Sequence, residues 1–162
     1  MTLAKQIRTN IIKPTLQITD LWSPSAEILV YGTGMIESNY ENLVQMDNPV
    51  NGGLGFFQLE PSDFMDLSRS LKNAANKVLL GSILAACYYE MLPVDPRRVI
   101  SDIKFAVLMC RYHYKRVSQA LPDEADAEGL AEYHKTFYNS ALGAADVAKN
   151  TTIFQSIIDG GL

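Results

Sequence analysis

The chain has little basic charge: 14 Lys and Arg stand against 18 Asp and Glu, for a net charge of −4 over 162 residues. With no basic stripe in view, nucleic acid is excluded as an expected partner. Long apolar runs are missing too. No stretch approaches the ~20 residues of a bilayer span. Hydrophobic residues nonetheless make up 48% of the chain, enough to fill a core, which argues against disorder. The N-terminus, MTLAKQIRTNIIKPTLQ, has no continuous apolar segment and no small-residue cleavage site, so neither an export signal nor a membrane anchor is expected. Cysteine is scarce: Cys87 and Cys110 both lie in apolar helical segments and read as buried free thiols. His113 and His134 match no metal-ligand spacing, and no P-loop, dinucleotide fingerprint or Ser-His-Asp arrangement occurs. Neither metal nor cofactor is expected. Strand alternation, internal repeats and heptads are likewise absent.

What is present is helical periodicity. Leu3, Ile7, Ile11 and Ile12 share one helical face, and Pro14 should kink or end that helix. Ser23 reads as an N-cap with Pro24 at the first helical position. The helix it opens should run to about Ser38, burying Ile28, Leu29, Gly32, Met35 and Ile36. Gly32 and Gly34 suggest close approach of another backbone. Residues 39–55 are rich in Asn, Asp and Gly and read as a long loop, with at most a short hairpin. Pro61-Ser62-Asp63 should begin a helix reaching about Leu71. Asn76 to Met91, strongly apolar, reads as a central helix. Further helices are expected over Pro96 to Ala120, around Leu130 to Ala141, and from Ala144 to Ile158. The expected class is all-α, one domain over residues 1–162, with at most a small β element in residues 39–58 and residues 1–22 as a helical extension.

The chain is organised around Gly34 to Pro61. This stretch begins with Glu37 at the end of an apolar helix, where the helix dipole disfavours negative charge. It closes on the glycine-spaced aromatic turn Gly52-Gly53-Leu54-Gly55-Phe56-Phe57-Gln58. One acid in an apolar wall, facing a tight turn that ends in an amide, is the pattern of a single-carboxylate site.

Four blocks, taken in order, resemble the soluble-type lytic transglycosylases, relatives of goose-type lysozyme. Ile36-Glu37-Ser38 resembles their Glu-Ser motif, and Gly52 to Pro61 their Gly-Ala-x-Gly-Leu-Met-Gln-x-x-Pro block. Asp95-Pro96-Arg97, followed by Ala106 to Tyr112, resembles their Asp-Pro-Arg segment and the helix after it. Phe137-Tyr138-Asn139, with Gly143 beyond, resembles their Ala-Tyr-Asn-Ala-Gly block. The likeness covers residues 24–145. Phe56-Phe57 stands where the family has Leu-Met, Glu60 is charged where the family is apolar, and a longer helical insert separates Pro61 from Asp95. These departures point to a divergent member, for instance from a bacteriophage.

The resemblance implies a lysozyme-like fold and cleavage of peptidoglycan glycan strands, with other virion proteins as further partners. An enzyme without an export signal would be virion-borne or reach the cell wall by another route. Glu37 would be the catalytic acid, with Ser38, Gly55, Phe57, Gln58, Tyr138 and Asn139 around the substrate. Several of these residues have structural alternatives. Gln58 could cap its own loop, the glycines could serve a plain turn, and Tyr138 could be a core aromatic with a buried hydroxyl partner. Asn139 reads as a brace for the turn. Glu41 and Asp47 are candidate second carboxylates for an inverting hydrolase, or else solvated loop acids, and Glu60 could crowd the site with charge. His134, among Leu130 and Phe137, reads as a packed, hydrogen-bonded core histidine. A scaffold without catalysis, serving as a structural or wall-binding part, is the other alternative.

Overall fold

The structure is a computed structural model that describes residues 1–50, 52–139 and 146–162. Helix accounts for 62% of it and strand for 2%, so the fold is all-α. The expected β element reduces to isolated bridges pairing Val44 with Leu54 and Leu54 with Leu59.

Helix α1 (Leu3–Ile7) passes through a π-helical turn (Arg8–Ile12) into α2 (Lys13–Ile18). Pro14 therefore does not end the helix. The wider turn, in which Lys13 N–H donates to the Arg8 carbonyl, re-registers the backbone just before the residue that lacks an N–H. The extension, residues 1–22, is helical and packs into the fold. Ile7, Ile12, Leu16 and Leu21 are buried in the same core as the rest of the chain. Arg8 Nε donates to Glu27 Oε1 at 2.9 Å, and Arg111 Nε donates to the Leu21 carbonyl at 3.2 Å.

Helix α3 (Pro24–Ser38) has the expected bounds, and the Ser23 hydroxyl accepts from Ala26 N–H at 3.1 Å. Its residues from Ala26 to Gly34 are all buried. Gly32 and Gly34 make room for side chains, not for a backbone. A Cβ at Gly32 would meet the Phe154 ring, and one at Gly34 would meet the Tyr40 ring. Helix α4 (Pro61–Leu71) also matches expectation, burying Phe64, Leu67 and Leu71.

Helix α5 (Lys77–Cys87) does not take the central place its composition suggested. Only Ile83 and Cys87 are buried, while Val78 is 85% exposed. The central helix is α7 (Ile103–Lys115), in which every residue from Phe105 to Tyr112 is buried, as is Tyr114. The long helix expected over Pro96 to Ala120 is split. Short α6 (Arg98–Ser101) ends at Asp102, whose extended backbone and carboxylate, accepting from Phe105 N–H, start α7 anew. Helices α8 (Ala127–Phe137) and α9 (Val147–Ile158) complete the bundle. The expected earlier start of α9 at Ala144, the end of the preceding helix at Ala141, and Gly143 lie outside the described residues.

Candidate functional site

Glu37 sits in the last turn of α3, which Asn39 terminates in a left-handed conformation at φ 51°. Its side chain is 19% exposed. A cleft of about 310 Å³ opens beside it, lined by Glu37, Gln58, Leu59, Glu60, Asp63, Tyr138 and Asn139. A second hollow of about 560 Å³ lies against Glu37 and Asn139 as well, with Ser38, Glu41, Asp146 and Asn150 on its walls. The acid thus borders both hollows.

The glycine turn is built by its own hydrogen bonds. Leu54 and Leu59 exchange backbone bonds at 3.0 Å, and Gln58 N–H donates to the Gly55 carbonyl at 3.0 Å. Gly55 adopts φ +67°, and a Cβ there would press on the Val99 carbonyl at 2.7 Å. Gly55 is therefore needed for the turn and its packing on α6, and it faces the fold. Gln58 is itself left-handed, at φ 46°, and its Nε2 donates to the Gly55 carbonyl at 2.8 Å. Its amide closes the turn and still borders the cleft.

Phe57 does not take the substrate-facing place expected of it. Its side chain is 1% exposed and meets Tyr40 edge-on, so it is core. Ser38 is also buried: its hydroxyl donates to the Phe56 carbonyl at 2.7 Å and accepts from Tyr40 N–H at 3.1 Å. This stitches the end of α3 to the glycine turn, holding Glu37 opposite Gln58.

Tyr138 follows α8 and spans the same gap from the other side. Its hydroxyl donates to the Phe57 carbonyl at 2.8 Å. The ring lies among Tyr114, His113 and His134, at centroid distances of 5.3, 4.8 and 5.7 Å. Burial first, then the nearby Cys110, Tyr114 and Glu37, hold its hydroxyl well above the usual tyrosine range, so it remains a donor. The hydroxyl thus braces the turn, while the residue borders the cleft. Asn139 lines both hollows, and its backbone N–H donates to the His134 carbonyl at 3.2 Å.

The carboxylates sort differently from expectation. Asp47 is exposed in the loop and lines neither hollow beside Glu37. Glu41 is exposed, accepts from Asn39 Nδ2 at 2.7 Å, and reaches only the larger hollow. The acids that share the smaller cleft with Glu37 are Glu60 and Asp63. Burial, then the adjacent Glu60, raise the Asp63 carboxyl above its ordinary range. Asp63 was legible only as a first-turn acid of α4, a common helix-start feature that gave no hint of a cleft.

His134 departs furthest from expectation. It is fully buried, yet neither ring nitrogen has a hydrogen-bond partner among the described residues. Its Nε2 lies 3.2 Å from Glu37 Oε1, within ion-pair reach but short of hydrogen-bond geometry. Among the described residues, no group of His, Cys, Asp and Glu could hold a metal. Nor is any helix among them long and apolar enough to cross a membrane.

Compared with protein-family models, curated proteins and solved structures, the chain matches none.

Proposed function

We propose that the chain is a peptidoglycan-cleaving lytic transglycosylase of lysozyme-like type, with Glu37 as its catalytic acid and base. The observation that carries this reading is convergence. Glu37, Gln58 and the Tyr138-Asn139 pair come from three separate family-like blocks, and all border one cleft. The fourth block takes a supporting place: Val99, just after Asp95-Pro96-Arg97, backs the glycine turn.

The chemistry requires one carboxyl. Protonated Glu37 gives its proton to the oxygen bridging MurNAc and GlcNAc as the bond from that oxygen to the anomeric carbon breaks. The resulting carboxylate then accepts the proton of the MurNAc 6-hydroxyl while that oxygen bonds the anomeric carbon. The product is a 1,6-anhydro end, and no water is consumed. The two hollows that Glu37 borders offer room for sugar residues next to the acid. A protein carried in the virion, acting on the wall from outside, fits this activity.

The carboxyls of Glu60 and Asp63 favour a second reading, a hydrolase in which one of them activates water. A zymogram on purified cell walls, wild type beside Glu37→Gln, tests the site. Clearing should fall on the order of 10³-fold in the variant; equal clearing removes Glu37 from catalysis. Mass spectrometry of the products separates anhydro ends from the reducing ends a hydrolase leaves.

A further inference from the structure

A buried imidazole with no partner for either nitrogen is costly, because each polar atom has given up water without a protein replacement. His134 is such a group. Its position beside Glu37 supplies a reason for keeping it. We infer that His134 is a positioning residue for Glu37. Its Nε2–H donates to Glu37 Oε1 once the carboxyl turns slightly, which directs the other oxygen, and the proton it carries, into the cleft.

The geometry favours this arrangement on three counts. His134 lies in the last turn of α8, and its carbonyl accepts from both Tyr138 N–H and Asn139 N–H, at 2.9 and 3.2 Å. The residue that touches the acid therefore also anchors the backbone of Tyr138 and Asn139, which line the cleft. The Tyr138 ring stacks on the imidazole at an interplanar angle of 20°, which restricts its rotation. The ring is fully buried and stacked, whereas the Glu37 side chain is 19% exposed, so the carboxyl is the partner with room to adjust. A donor fixed on one carboxyl oxygen pre-organises the other for transfer.

Other groups act on the same carboxyl. Glu60, Asp63 and Tyr138 border the smaller cleft, Glu41, Asp146 and Lys149 the larger hollow, and Cys110 and Tyr114 lie behind in the core. The test must therefore change His134 alone. His134→Phe keeps a buried ring and removes the donor. His134→Gln places an amide N–H near the Nε2 position, and His134→Asn places one near the Nδ1 position, away from Glu37.

The inference rests on the proposed glycan cleavage, so one arm of the test is independent of activity. In that arm the Glu37 side-chain carboxyl is titrated by carbon-detected NMR, with thermal unfolding as the check on folding. Losing a donor to the carboxylate should raise the midpoint by about one pH unit in the Phe and Asn variants, and Gln should restore it. In the kinetic arm, kcat on solubilised glycan should fall roughly 10- to 100-fold in Phe and Asn with KM unchanged, and recover in Gln. If Phe fails to fold, the Gln-to-Asn comparison carries the same information. Midpoints that coincide in the wild type and all folded variants overturn the inference. So does an unchanged kcat in Phe or Asn. If the wild type cleaves nothing, the proposed function falls, and the titration still decides whether His134 holds Glu37.

Discussion

At the scale of residues, the site is held by hydrogen bonds that end on the glycine turn. Ser38 reaches the Phe56 carbonyl and Tyr138 reaches the Phe57 carbonyl, so adjacent peptide units are pinned from α3 and from the end of α8. Tyr138→Phe removes one of these pins and leaves a carbonyl without its donor. A loss of about 1–2 kcal/mol is expected, visible as a melting point lower by about 2–8 °C for a domain of this size. Cleavage should slow in step, because the turn carries Gln58. An unchanged melting point would mean that the bond contributes nothing to the fold. Gln58 and Tyr138 share one arrangement. The amide or hydroxyl bonds the turn, and the residue also borders the cleft. Sequence alone could not separate these roles, since both need the same residue type at the same place.

At the scale of elements, local chemistry decided the boundaries. The Ser23 cap with Pro24 starts α3, and Pro61 starts α4, because each supplies a group that only a helix start uses. Where two elements compete for the centre, local pattern misleads. Helix α5 is the more apolar run to the eye, yet α7 is central and α5 lies at the surface with Val78 outward. The end of α5 carries a strained residue: Tyr88 is left-handed at φ 57° and 88% exposed. Its ring's neighbour is the Lys104 ammonium, 5.7 Å from the centroid. Tyr88→Gly relieves the left-handed backbone at little loss of packing. A gain of about 1 kcal/mol is expected, measured as a higher urea midpoint with an unchanged slope. A lower midpoint would show that the tyrosine is worth more than the strain it carries.

At the scale of the whole molecule, stability should depend on pH through His113. Burial first, then the nearby Arg116, push its imidazole down to about 4, against the Phe137 backbone, which acts the other way. The folded value lies below the ordinary one, so the unfolded chain binds the extra proton between about pH 6.5 and 4. The stabilisation is complete above that window and is lost as pH falls through it. The change is at most about 3 kcal/mol. Urea unfolding at pH 7 and pH 4.5 measures it, with His113→Phe as the comparison. The variant should show a shallower loss, and an identical slope would place the acid sensitivity elsewhere. The ring of His113 also packs on Tyr138, which borders the cleft.

The all-α class, the bounds of α3 and α4, and the place of Glu37 at a helix end were determined by the sequence itself, because periodicity, caps and prolines act within a few residues. Tertiary structure alone decided which side chains meet Glu37. Its buried neighbour is His134 from α8, and the acids that share its smaller cleft are Glu60 and Asp63, not Asp47 or Glu41. Nothing in a residue's own neighbourhood records a partner brought to it by the packing of distant helices. A histidine between apolar residues looks the same whether its nitrogens face a backbone carbonyl or a carboxylate, and only the folded chain settles which is there.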